Sequence, residues 1–356
     1  MNKKKILWIE LLRIAACIGV IGIHVSSQLF KHIDVNLSAW AVSNFYHGIT
    51  RYAVACFLMI SGALYLDANR HWNLKKLWKH NILSIAVAYI FWQAFYAMTR
   101  GVPSAFKTGG ILAALKRFLV CMSASYFHLW YLTVLIALLI ITPMLWEIVN
   151  CERGKQWEEY TIILFIFFQI AIYTINYFDL PCKKHIMNML NTVKPELVVG
   201  YVGYFILGHY LMHYEISKKL EKIIYVTGII LIAASIVLCH VASRKSGSPV
   251  QSFYENYTLA ALGWSCAVFL FFKNYVSKII WNDRQERVIY YLGSCTFGIY
   301  LIHISFRRLL HHFGIDGLMI GNTALAIPLV MAMIFILSLI AVSIIKKIPI
   351  LNRWIV

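Results

Sequence analysis

Long apolar blocks recur along this chain, broken by short polar stretches. About 20 mostly apolar residues suffice for a helix to cross a bilayer. Ten segments reach that length or approach it: roughly 6–30, 39–66, 82–98, 126–149, 160–176, 197–214, 222–242, 255–275, 287–306 and 319–345. The third and fifth are the shortest. No low-complexity tract, internal repeat or long linker separates them, so residues 1–356 read as one domain. The pattern predicts an all-α fold, a polytopic transmembrane helical bundle of about ten spans. The stretch Gly109–Met122 is too short to span beside Lys116 and Arg117, and it reads as an interfacial or re-entrant helix. The first apolar run follows Lys3, Lys4 and Lys5 and continues to about Phe30 without a small-residue cleavage site, so it is expected to be a signal anchor and the first span.

Composition sharpens this picture. Of 356 residues, 60% are hydrophobic and only 13% are charged, yet 33 Lys and Arg oppose 15 Asp and Glu for a net charge of +18. A soluble domain carries about 25% charged residues, so a water-soluble globule is excluded. The basic residues stand singly or in pairs between apolar runs and form no broad patch, which argues against nucleic-acid binding. Basic short loops retained on the cytoplasmic side explain the excess. With the N-terminus in the cytoplasm, nineteen Lys and Arg fall inside and twelve outside, which favours both termini cytoplasmic. The loop holding Arg100, Lys107, Lys116 and Arg117 weighs the other way. The expected location is the cell membrane, multi-pass. The eight cysteines form no C-x-x-C pair, and at least five lie in apolar runs, so they read as small buried hydrophobes.

A few polar residues sit where a membrane disfavours them. Charge at the centre of a span costs roughly 3 kcal/mol or more unless it meets a partner or a cavity, which makes such residues functional candidates. The first span holds Glu10, Arg13 and His24. The eleven-residue step from Arg13 to His24 returns to within roughly 20° of one helix face and rises about 16 Å. Glu10, three residues before Arg13, is placed to pair with it. Arg51 lies near the middle of the second span, where a salt bridge to an acid such as Glu10 and contact with a substrate are both open. His128 at the start of the fourth span and His303 late in the ninth fall at the depth of His24. His47 is also near the outer end of its span. His209, His213 and the pair His311–His312 show no ligand spacing, and no metal is expected. Lys75, Lys76 and Lys79 read either as ordinary positive-inside bias or as point charges for the phosphates of a cytoplasmic cofactor.

Several of these positions together resemble the bacterial acyltransferase 3 family of integral-membrane acyltransferases. The first span, ELLRIAACIGVIGIHV, is similar to the family's opening with Arg-x10-His. RYAVACFLMISGALYL matches its second-span segment, and FHLWYLTVLIALLIITPML its H-L-W-[FY]-L start with a later proline, here Pro143. GYVGYFILGHYL and LGSCTFGIYLIHI match two further elements. The matches follow family order across residues 10 to 303. Two positions depart from the pattern. Ala55 replaces the usual proline, and the family's cytoplasmic R-x-x-R appears as Lys76-Leu-Trp-Lys79. The chain is also expected to lack the hydrolase-like extension of larger members, since it ends at Val356 near the tenth span.

The resemblance implies transfer of an acyl group, most often acetyl, from cytoplasmic acyl-CoA (acetyl-CoA as donor) to a hydroxyl of an envelope glycan or lipid-linked sugar. His24 is the expected general base, since an imidazole can take a hydroxyl proton near neutral pH; an acyl-imidazole on His24 is the rival route. Arg13 and Glu10 complete the expected catalytic set. Arg13, Arg51, Lys75, Lys76 and Lys79 are the expected donor-binding residues, and His128, Trp130, Ser294, Tyr300 and His303 the expected acceptor-binding residues. Arg51 or the Ser294–Tyr300–His303 face is also placed to stabilise an oxyanion. The expected partners are the glycan acceptor and membrane lipids. Two other classes remain on the sequence alone: a transporter that makes no bond, and a membrane sensor or scaffold.

Overall fold

The computed structural model describes residues 6–70, 72–178, 184, 185, 188, 192 and 200–356. Among these residues the chain is helical, with no strand. A helix satisfies every backbone N–H and C=O within itself, as a segment without water around it must. In chain order the helices are α1 (Leu7–His32), α2 (Ser38–Ile49), α3 (Tyr52–Tyr65), α4 (Leu83–Thr99), α5 (Val102–Ser123), α6 (Trp130–Val149), α7 (Gly154–Leu164), α8 (Val202–His213), α9 (Lys218–Ser246), α10 (Leu259–Asn274), α11 (Asp283–His312), α12 (Thr323–Ile345) and α13 (Pro349–Trp354). A π-helical turn, Leu77–Ile82, leads into α4, and another, Phe165–Ala171, prolongs α7.

Nine helical stretches among the described residues are long and apolar enough to cross a membrane, and α2 with α3 counts as one of them. The sixth expected span, 197–214, appears as the 12-residue α8, and residues 197–199 lie outside the described set. Twelve residues rise about 18 Å, short of the roughly 30 Å hydrocarbon core. The expected interfacial helix 109–122 starts earlier, at Val102, and breaks at Gly109–Gly110, where Gly110 takes φ 68°. Its Ile111 and Leu112 are exposed. Of the cysteines, Cys17, Cys56, Cys239, Cys266 and Cys295 are buried and unbridged, whereas Cys182 lies outside the described residues.

Packing divides the chain into two compact units. The first holds residues 1–67 and 149–340. Its centre is α1, which packs on α2, α3, α10 and α11. In a bilayer, lipid tails compete with apolar side chains, so close approach depends on small residues. Gly62 of α3 is such a place: a Cβ there would enter the carbonyl of Phe205 on α8. The second unit holds residues 68–148 and 341–356. There Gln93 of α4 donates to the carbonyls of Cys121 (2.7 Å) and Ala124 (2.6 Å) and accepts from the Tyr126 amide (2.8 Å). Trp92 Nε1 donates to the Ile355 carbonyl at 2.9 Å, which ties the C-terminal segment to α4.

The second expected span is broken at one of its candidate residues. α2 ends at Ile49 and α3 begins at Tyr52, which leaves Arg51 in the junction. Thr50 Oγ1 donates back to the Tyr46 carbonyl (2.8 Å), a contact that competes with regular helix. The Ile49 carbonyl accepts instead from Trp264 Nε1 of α10 at 2.8 Å.

Candidate active site

Near the start of α1, Arg13 Nη1 donates to both oxygens of Glu10, at 3.1 Å and 2.9 Å. Glu10 is buried and Arg13 half-buried. What receives the carboxylate is Gly293 of α11, where a Cβ would collide with Glu10 Oε2. The pair expected from the i, i+3 spacing therefore depends on a bare α-carbon contributed 283 residues further along the chain.

Further along the same two helices, the rings of His24 and His303 lie 5.2 Å apart, tilted by 37°. His303 is buried, with Nδ1 2.6 Å from the Tyr300 carbonyl. A carbonyl only accepts, so Nδ1 carries a proton. Tyr300 is buried beside it, its ring 6.2 Å from that of His303. Ser294 does not join this face. It is exposed and returns its hydroxyl to the Tyr291 carbonyl (2.7 Å). Nine residues separate it from His303, about half a turn around the helix.

Arg51 does not reach Glu10. Its Nη2 lies 2.8 Å from His47 Nε2 and 3.4 Å from Gln251 Oε1, and its guanidinium stands 5.1 Å from the centre of the Tyr254 ring. Arginine only donates, so His47 Nε2 accepts and Nδ1 bears the proton, which it offers to the Tyr254 hydroxyl at 3.3 Å. Tyr254 in turn donates to Asn44 Oδ1 (2.9 Å). Gln251 Nε2 donates to Glu255 Oε1 (3.3 Å), and the other Glu255 oxygen accepts from Tyr173 (3.1 Å) and Tyr177 (3.2 Å). The acid that faces Arg51, through one amide, is thus Glu255. Sequence reading missed this network. The signal present was the i, i+4 spacing of His47 and Arg51.

The remaining candidates belong to the second unit. His128 lies in the turn before α6, which begins only at Trp130, and is buried. Its ring lies edge-on to Tyr96 (5.0 Å) and Tyr126 (5.4 Å), which stack on each other at 4.4 Å. Trp130 is half-buried at the first position of α6. Lys75, Lys76 and Lys79 are exposed, and the Asn73 side chain caps the single turn Leu74–Lys76 by accepting from the Lys76 amide at 3.0 Å. Lys79 lies within the π-helical turn.

Two histidines set aside on spacing also have defined partners. His209 of α8 and Glu158 of α7 form a buried pair at 2.8 Å, and Tyr214 donates to the other Glu158 oxygen at 3.2 Å. His311 lies 3.3 Å from Asp316 and 2.6 Å from Gln28.

A chain that is helical among its described residues, with nine candidate spans there and ionisable side chains paired inside them, is a multi-pass membrane protein. A family model described as an acyltransferase domain matches residues 6–344, and the chain belongs to that acyltransferase 3 family. It is a membrane acyltransferase. No curated protein and no solved structure matches it.

Proposed function

We propose that the protein moves an acyl group, acetyl by preference, from cytoplasmic acyl-CoA to a hydroxyl of a cell-envelope glycan or lipid-linked saccharide. The observation that carries this reading is the arrangement on α1 and α11: the Glu10–Arg13 ion pair at one level and the His24–His303 ring pair at another, eleven residues along α1. His24 takes the proton as the acceptor hydroxyl attacks the thioester carbonyl. The C–O bond forms, the C–S bond breaks, and the proton passes to the departing thiolate of CoA. His303, with Nδ1 committed to a carbonyl, fixes the geometry of the second ring. General-base assistance of this kind contributes about 10²- to 10⁴-fold. Arg13 is the residue of this arrangement that stands toward the donor, and Lys75, Lys76 and Lys79, taken by themselves, are exposed point charges suited to phosphate. Arg51, expected among the donor-binding residues, is fixed among His47, Gln251 and Tyr254.

The test is covalent. Membranes containing the full chain are given acetyl-CoA labelled in the acetyl group, and the envelope glycan fraction is isolated. Label in ester linkage to glycan, absent from control membranes, is the expected result. Intact acetyl-CoA with no label on glycan, in membranes where the protein is present at normal levels, overturns the reading and leaves a transporter in its place.

A further inference from the structure

α4 stands between two basic groups. Lys75, Lys76 and Lys79 precede it, and Arg100, Lys107, Lys116 and Arg117 follow it, in the turn after Thr99 and along α5. Its 17 residues rise about 25 Å, so the two groups lie at opposite ends. Positive-inside bias accounts for basic residues on one side of a membrane, and therefore for one group only. In the orientation expected from the loops, the α5 group is the one left over. No acid offsets it: residues 68–146 hold eight Lys and Arg and no Asp or Glu. All four side chains are exposed, and none forms an ion pair among the described residues. Two of them converge on the α4–α5 turn. A Cβ on Gly101 would stand 3.1 Å from Arg117 Nε, and the adjoining Arg100 holds its guanidinium 5.5 Å from the centre of the Tyr126 ring.

α5 also carries an apolar face. After the break at Gly109–Gly110, Ala113, Ala114 and Phe118 are half-buried, whereas Ile111 (77%), Leu112 (79%), Leu115 and Leu119 are exposed. At 3.6 residues per turn these four exposed residues fall within about 100° of arc, and Lys116 follows about 40° beyond Leu112. α5 is not among the nine stretches long and apolar enough to cross a membrane. A helix of this kind lies in the bilayer interface, its apolar stripe among acyl chains and its basic residues at the headgroups. The two features together select the ligand. A soluble anion leaves the apolar stripe in water, and a zwitterionic headgroup brings no net charge to basic residues without acids. A lipid whose headgroup is net negative meets both requirements. We propose that α5 is an anionic-lipid-binding helix: Arg100, Lys107, Lys116 and Arg117 engage the phosphates of acidic phospholipids in the leaflet at that end, while Ile111, Leu112, Leu115 and Leu119 lie among their acyl chains. This goes beyond the acyl-transfer reading and does not depend on it.

The full chain is placed in nanodiscs of mixed phosphatidylcholine and phosphatidylglycerol, with a fluorescent amino acid at Leu112. As control the same label is placed at Ile230, exposed on α9. Acyl chains of one lipid or the other carry bromine as quencher. A basic residue near an anionic surface contributes enough to enrich the acidic lipid about fivefold. Brominated phosphatidylglycerol is therefore expected to quench position 112 well beyond brominated phosphatidylcholine, with no such preference at Ile230. The triple change Lys107→Gln, Lys116→Gln and Arg117→Gln should remove the preference, and Lys107→Arg with Lys116→Arg should keep it. Equal quenching by the two lipids at position 112, an equal preference at Ile230, or a preference that survives the triple change overturns the proposal. So does a label at 112 that neither lipid quenches, which would give this face to a protein partner. The first comparison uses the unaltered basic residues, so a triple variant that fails to fold leaves the test standing.

Discussion

The carboxylate of Glu10 rests against the bare α-carbon of Gly293, and this contact lets α1 and α11 close around the Glu10–Arg13 pair. A charged side chain in an apolar segment is tolerated when partnered. Here the partner is local, three residues away, but the space is supplied by the other helix.

Gly293→Ala is therefore expected to push the carboxylate out of its seat. Overpacking of this kind destabilises by about 1–3 kcal/mol, and transferase activity should fall at least about tenfold as Arg13 loses its fixed partner. Thermal unfolding in detergent and label transfer in membranes measure the two effects. Wild-type activity in Gly293→Ala removes the role given to this contact.

His24→Ala, inserted at normal levels, is expected to lower kcat by about 100-fold or more, in the range of general-base loss. His303→Gln is expected to lower it less, because it removes the second ring while His24 remains. Equal losses, or full activity in His24→Ala, contradict the assignment of His24 as base.

Double-mutant cycles separate the two arginines. Glu10→Gln and Arg13→Gln should couple strongly, since each leaves the other's charge unpaired near the start of α1. Glu10→Gln and Arg51→Lys should be additive within about 0.5 kcal/mol, because Arg51 is held by His47 and Gln251. Arg51→Lys alone replaces a planar fork by a point charge and should reduce activity about tenfold. Coupling between Glu10 and Arg51 would mean that the Arg51 network is not the one that operates.

Glu158→Leu leaves His209 buried without its acid. The cost expected for leaving a buried hydrogen-bonding group without its partner is about 1–3 kcal/mol, and the double change Glu158→Leu with His209→Leu should recover most of it. Thermal unfolding of the three proteins in the same detergent reads this directly. A double variant no more stable than Glu158→Leu argues that the pair holds more than its own hydrogen bond.

Hydropathy located the spans well, because insertion depends on summed apolar length and little else. It merged α2 with α3, since a break at Thr50 and Arg51 leaves the apolar total unchanged. It placed the start of the fourth span at 126, where the turn carrying His128 is as apolar as helix. At the candidate site, the i, i+3 pair Glu10–Arg13 was legible from spacing alone. Ser294 was grouped with His303 by motif although helix geometry sets them half a turn apart.

By itself the sequence determined that this chain crosses a membrane many times as helices, and which side chains pay a penalty for being there. Both follow from the free energy of each residue in hydrocarbon, a property of single segments. Tertiary structure decided which penalties are shared: His24 with His303, Arg51 with His47 and Gln251 rather than Glu10, Glu10 with the space at Gly293. Lipid is as apolar as the helices it surrounds, so hydropathy carries no preference for one neighbour over another. Those meetings are set by close packing of small residues and by hydrogen bonds between helices far apart in sequence.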